Sequence, residues 1–236
     1  DALVRHALVA SEAVGAGPPR PTTLRLDEAL GATVGRLDPE ARLVIELVAL
    51  SLSPLVHEVA RRAAGLEHAG LPRVLTALRS VHLVRGARLR DDEAIEPYHD
   101  RVREVVLQSL TAEQRAQRHE ALARVLEASD RADPEELFAH FSAANNRERA
   151  LHYAALAASK ASDALAFDRA ARLYGAALAL GPEAEARRKL VVKLGDAHAA
   201  AGHGKKAARA FLEAVVAAPA DEALELRRRA AEQLLR

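Results

Sequence analysis

The chain has 236 residues, long enough for one or two domains with substantial cores, and half of them are apolar although only 3% are aromatic. Its 34 basic and 33 acidic side chains leave a formal charge of +1, which argues against a generic polyanion binder. Cysteine is absent, so disulfides, thiolate catalysis and cysteine-ligated zinc are excluded, and no apolar run approaches the roughly 18 residues that cross a membrane.

With so few aromatics, Ala and Leu must do the packing, and that favours closely spaced helices. Ala2 to Val14 reads as a short helix, and the run Gly15 to Pro21, with three prolines, reads as a linker, so residues 1–21 are expected to be the end of a neighbouring upstream domain. A compact unit is expected over 22–110. Its first helix carries Leu26, Leu30, Val34 and Leu37; Asp38-Pro39-Glu40 then supplies an N-cap and a first-turn proline for a central, nearly all-apolar helix from Ala41 to Leu50. Pro54 is expected to start another helix at Leu55 that ends at Gly65, and Pro72 opens a third running to Val81.

From Val81 to Arg90 the apolar residues alternate, which predicts a strand. A turn at Asp91-Asp92-Glu93 and a second strand from Ile95 to Tyr98 follow. Three helices and a β-hairpin in this order are those of a winged helix. Beyond Pro97, the apolar positions Val102, Val105, Val106 and Leu110 share a helical face, so a helix begins beside His99 and Asp100 with its positive end next to them. An anion can be sensed at such a junction. The competing reading of His99 is a junction histidine bonded locally to backbone, and Asp100 is expected to cap the helix.

Residues 111–236 read as helical throughout. Thr111 with Gln114 has capping-box spacing, and Asp133-Pro134-Glu135 starts a further helix. Leu194-Gly195-x-x-His198, Ala207-x-x-x-Phe211-x-x-Ala214 and Pro219 follow tetratricopeptide (TPR) spacing, with Val191 at the usual Trp. Thirty-seven residues earlier, Ala170, Tyr174, Ala177 and Pro182 repeat its second half, and Leu137 to Ala157 reads as a degenerate third copy. The overall expectation is a mainly-α chain: a winged-helix domain with a short β-hairpin followed by a TPR-like α-helical repeat array. On the best repeat, the inner helix would present Lys189, Val192 and Asp196 as a possible ligand groove. Asp196 would repel a peptide C-terminus there.

Other motifs fail on chemistry. Gly202-His203-Gly204-Lys205-Lys206 lacks the upstream glycine, the hydroxyl after lysine and the preceding strand of a phosphate loop. His57-Glu58 and His119-Glu120 lack the second His one turn on, where Arg61 and Ala123 stand, so no metal site is expected. Arg73 and Arg79, with Arg85, Arg88 and Arg90 on the wing, would face DNA, but Asp91, Asp92, Glu93 and Glu96 offset them.

Taken in order, Leu37-Asp38-Pro39-Glu40-Ala41-Arg42, Leu75-x-x-Leu78 leading to Leu83-Val84, Tyr98-His99-Asp100-x-Val102-Arg103-Glu104, His119 and Leu137-x-x-His140 make the chain resemble the sensor half of STAND-class signalling ATPases. That class includes maltose-regulator-type transcription factors and bacterial kinases or cyclases with an ATPase-TPR module. The resemblance implies that Tyr98-His99-Asp100 stands for the class's Met-His-Asp motif, whose His faces the β-phosphate of bound ADP. His99 and Asp100 would then be nucleotide-sensing residues, with Tyr in place of Met. It also implies an upstream nucleotide-binding domain holding ADP or ATP with Mg, since no Walker A motif is present here. The chain itself would be non-catalytic and without cofactor, its repeats binding a protein or small-molecule signal. Methionine is absent even at position 1, which suggests a piece excised from something longer; no signal peptide is recognisable, and a cytoplasmic location is expected. A stand-alone repeat scaffold that recruits a partner, and a winged-helix DNA binder, are the alternatives.

Overall fold

The computed structural model describes residues 22–129 and 132–235. The expected helix at Ala2 to Val14 and the Gly/Pro linker lie outside them. The chain divides into two compact units, one ending at Val125 and one beginning at Leu126. The repeat segment was expected to start at 111, but helix α6 (Ala112–Glu127) contributes Leu122 to the first core and Arg118 to a buried carboxylate there, Glu46, so most of it belongs with the first unit.

In the first unit, α1 (Thr22–Gly35) and α2 (Pro39–Leu50) meet at Asp38, whose carboxylate accepts from Ala41 N at 2.8 Å with Pro39 in the first turn. The apolar run of α2 makes it the central element: Val44, Ile45 and Leu47 are fully buried. Leu55 and Val56 were expected to open a helix. They instead form a short strand β1 (Leu55–Val56) paired antiparallel with Ile95 and Ala94, and α3 (His57–Ala63) starts only after them. Pro54 and β-branched Val56 favour extended backbone, and the open edge of the hairpin supplies the ladder partner. The α4 helix (Gly70–Ser80) buries Leu71, Val74, Leu75 and Leu78 on one face.

The strand expected from Val81 begins later, as β2 (Val84–Leu89). Val81 ends α4 and His82 takes a left-handed conformation (φ 54°), closed by Leu83 N donating to Leu78 O at 3.0 Å. The turn is likewise shifted. β3 (Asp92–Pro97) pairs Asp92 with Leu89, leaving Arg90 and Asp91 as a two-residue turn with Arg90 at φ 57°. The antiparallel sheet has the order β1-β3-β2. The first unit then continues into α5 (Asp100–Ser109). A reciprocal capping box starts α6: Thr111 N donates to Gln114 Oε1 (2.9 Å) and Gln114 N to Thr111 Oγ1 (3.1 Å).

The second unit is a run of helices joined by short turns: α7 (Pro134–Ala143), α8 (Arg147–Asp163), α9 (Phe167–Ala179), α10 (Ala184–Ala200), α11 (Gly204–Val215) and α12 (Ala220–Leu234). Together with the first unit this makes a mainly-α chain that ends in a TPR-like repeat array. Ala150, Ala154, Ala157, Ala158 and Ala161 form the buried stripe of α8, and so many methyl side chains let its neighbours α7 and α9 come close. By the 37-residue offset, Ala154, Ala157 and Ala158 correspond to Val191, Leu194 and Gly195. The α8 helix is therefore the first member of the pair α8/α9, as α10 is of α10/α11, and not the second half of the degenerate copy that includes Phe141. Turns are closed as at His82, with Asn145, Leu165 and Gly202 left-handed.

Phe211 is 1% exposed and lies over Gly195; a Cβ at 195 would sit 2.4 Å from Phe211 Cε1. Ion pairs tie one repeat to the next at nearly constant separation: Arg169 to Glu135, Arg188 to Glu222 and Arg229 to Asp196 join residues 33 or 34 apart. Among the described residues, no helix is long and apolar enough to cross a membrane.

Replacing Gly195 with Ala is expected to lower the urea-unfolding free energy by about 1–3 kcal/mol, because the methyl displaces Phe211. Gly175 in α9 has open space at its Cβ position, and Gly175→Ala is expected to raise stability by about 0.5–1 kcal/mol, as a helix-interior glycine should.

Candidate functional site

The junction expected to carry function is built from β3, a two-residue link and α5. Pro97 is buried opposite Val84 at the end of β3, and Tyr98 N donates to Leu83 O at 3.0 Å. The Tyr98 ring meets His82 edge-on, with centroids 5.5 Å apart. His99 is exposed and extended (φ −150°, ψ 151°); its carbonyl accepts from Val102 N at 2.9 Å and its Nδ1 from Arg101 N at 3.2 Å. The cap of α5 is therefore His99, not Asp100 as expected: Asp100 already has helical backbone in the first turn, where its carboxylate faces the positive helix end from solvent.

Capping also sets the chemistry of the ring. An imidazole nitrogen that accepts a hydrogen bond is unprotonated, so the proton of the neutral ring sits on Nε2. The exposed edge of His99 then offers one N–H donor beside a helix N-terminus, an arrangement suited to a phosphate oxygen.

Two arginines hold α5 in place through contacts that sequence patterning did not reveal. Arg101 pairs with Asp27 of α1 (Nε–Oδ1 2.5 Å) and with Glu104 (2.6 Å). Arg103 Nη1 donates to Ala49 O and Ser51 O, both at 2.7 Å, at the carboxyl end of α2. Apart from Glu104, their partners lie 52 to 74 residues away, so these contacts cannot be read from local spacing. Glu46 is a third such group, a buried carboxylate on α2 that Arg118 of α6 neutralises at 2.9 Å.

The three residues expected to line a repeat groove share α10 but differ in state. Lys189 is exposed, with Nζ 3.2 Å from Glu185 Oε1; Val192 is half-buried against the core around Phe211. Asp196 is ion-paired with Arg229 of α12, whose guanidinium carbon lies 4.1 Å above the Phe211 ring. Desolvation pulls the Arg229 pKa below its ordinary value, so the Asp196 charge is committed to a half-buried partner. The Gly202-His203-Gly204 segment is the turn into α11. Gly204 is demanded by packing, since a Cβ there would lie 2.5 Å from Gln233 O. Among the described residues, no cluster of three His, Cys, Asp or Glu side chains suits a metal ion.

The repeated helix pairs define a TPR-like helical-repeat protein. Among solved structures, the chain is similar to a Signal Transduction ATPase with Numerous Domains (STAND) protein with a tetratricopeptide repeat sensor, from Pyrococcus horikoshii. The two share 14% identity with a TM-score of 0.57; the likeness covers 93% of this chain but only 34% of that one, so this chain spans about a third of that protein's length. No protein-family model and no curated protein matches the chain.

Asp196→Asn is expected to lower stability in urea unfolding by about 1 kcal/mol, since it leaves the Arg229 guanidinium without its counter-charge. Lys189→Ala, at an exposed i, i+4 pair, is expected to leave the midpoint unchanged.

Proposed function

We propose that this chain is a non-catalytic regulatory sensor portion of a STAND-type signal-transduction ATPase. The first unit is read as a winged helix, from its order of helix, strand, two helices and hairpin with strand order β1-β3-β2. The observation that carries the reading is the fold likeness over 93% of the chain to a STAND protein with a TPR sensor. His99 is the nucleotide-sensing residue of this reading: its Nε2–H would donate to the β-phosphate of ADP held, with Mg when ATP is bound, by an upstream nucleotide-binding domain. Arg101 and Arg103 fix the helix that presents it, and Asp100 adds a negative charge to its first turn. The repeat array receives a protein or small-molecule signal, which shifts the population away from the ADP-locked state in proportion to its preference for the open one.

In the full-length parent protein, His99→Ala is expected to weaken ADP binding about tenfold, the loss of one hydrogen bond to a charged group, and to raise basal signalling output. ADP affinity and basal output both equal to wild type would refute the assignment. His99→Asn retains a cap and a donor, and is expected to fall between the two.

A further inference from the structure

A second polar site lies in the first unit, away from the residues of the nucleotide reading. Pairing in the hairpin puts Val84 with Pro97, Gly86 with Ile95 and Arg88 with Glu93 on one face of the sheet. Near the base of the hairpin this face is core: Val84, Pro97 and Ile95 are buried. Towards the tip it leaves the helices, and a cleft of about 310 Å³ opens between the strands and the side chains of His57 (α3) and Arg79 (α4). Segments 86–88 and 93–94 form its floor.

The charges around this cleft are unevenly paired. On the opposite face of the hairpin, Arg85 is paired with Glu96 at 2.8 Å. Arg88 stands directly across the ladder from Glu93, yet that carboxylate reaches instead to His57 Nδ1, at 3.4 Å. Arg79 leans over the strand where Gly86 has no side chain; a Cβ there would lie 4.0 Å from its Nη2. Neither Arg79 nor Arg88 has a carboxylate partner among the described residues. The Nε2 atom of His57 is buried and makes no hydrogen bond. Two guanidinium forks and an imidazole thus border one cleft against a single carboxylate, itself largely solvated.

We propose that this cleft binds a small oxyanion ester, a phosphate monoester or its sulfate analogue, between Arg79 and Arg88, with the His57 ring at its edge adding a positive charge when protonated. Guanidinium forks match two oxygens of such an anion. The cleft has room for about ten waters at the liquid volume of ~30 Å³ each, so a small organic group fits beside the anion. Glu93 is the opposing charge: it holds the imidazole while the cleft is empty and weakens anion binding. The His57 pKa lies below its ordinary value, chiefly from burial and further from Arg79, against the pull of Glu93. The ring is therefore neutral at pH 7. Acidification adds a positive charge facing Glu93 from β3, Arg79 from α4 and Arg88 from β2, and an anion of constant charge should bind more tightly.

The test is a titration of the 236-residue chain with inorganic phosphate, sulfate and phenyl phosphate, followed by amide NMR shifts. Saturable shifts at Gly86, Ala87 and Ala94 are expected, with phenyl phosphate binding at least as tightly as phosphate. The double variant Arg79→Ala/Arg88→Ala should bind about tenfold more weakly, and Glu93→Gln about threefold more tightly. Sulfate affinity should rise from about pH 8 to about pH 5.5 in the wild type and stay flat in His57→Gln. Unchanged affinity in the double variant with its helical circular dichroism intact overturns the proposal. So do shifts confined to other residues, or non-saturating phosphate shifts accompanied by steeply salt-dependent binding of duplex DNA.

Discussion

Several helices in this protein end on the side chains of other helices. A helix leaves its last carbonyls without intrahelical donors, and here guanidinium groups supply them. Arg42 of α2 donates to Val34 O and Gly35 O at the end of α1, Arg103 of α5 to Ala49 O and Ser51 O at the end of α2, and Arg115 of α6 to Leu107 O near the end of α5. In the first unit these bonds make a relay from α6 to α5, from α5 to α2 and from α2 to α1. In the second, Arg147 of α8 does the same for Leu180 O and Gly181 O after α9. The cation at the negative end of a helix also gains from the macrodipole.

The orientation of His99 depends on that relay. Its helix is fastened through Arg103 to α2 and through Arg101 to α1, and its own last turn is capped by Arg115. The bond from Arg101 N to Nδ1 then fixes the ring and, with it, which nitrogen carries the proton. A local structural role and a phosphate-facing role are thus compatible, because they use opposite nitrogens of one imidazole. The Arg79/Arg88 cleft is built differently, from two arginines that the fold brings together without a carboxylate partner among the described residues.

In the repeat unit the governing constraint is volume. Phe211 fits because residue 195 has no side chain, and the α8 stripe substitutes methyl groups for larger ones throughout. Close packing of this kind forfeits aromatic surface, but it brings successive repeats near enough for arginines to reach carboxylates 33 or 34 residues away. Arg229 uses both devices, lying on Phe211 while paired with Asp196.

Local chemistry made much of the fold legible before any coordinates. Asp38, Thr111 with Gln114, and Asp133 announce helix starts because a cap is a bond between residues two or three apart. The repeat was legible because identical packing problems recur at a fixed interval. Short-range preference could not decide Leu55 and Val56, which become a strand only because the hairpin edge some 40 residues later offers hydrogen bonds. Nor could it decide that His99 and not Asp100 caps α5, since both types can cap and the choice follows from where β3 and the Leu83 carbonyl hold the chain. Asp27, Glu46, Arg103 and Arg229 belong to the same group. Their partners are distant in sequence, and contacts over such separations leave no mark in the local pattern. The sequence alone therefore determined which segments are helical and that they repeat; the tertiary structure decided which charges meet, because only packing brings them within reach.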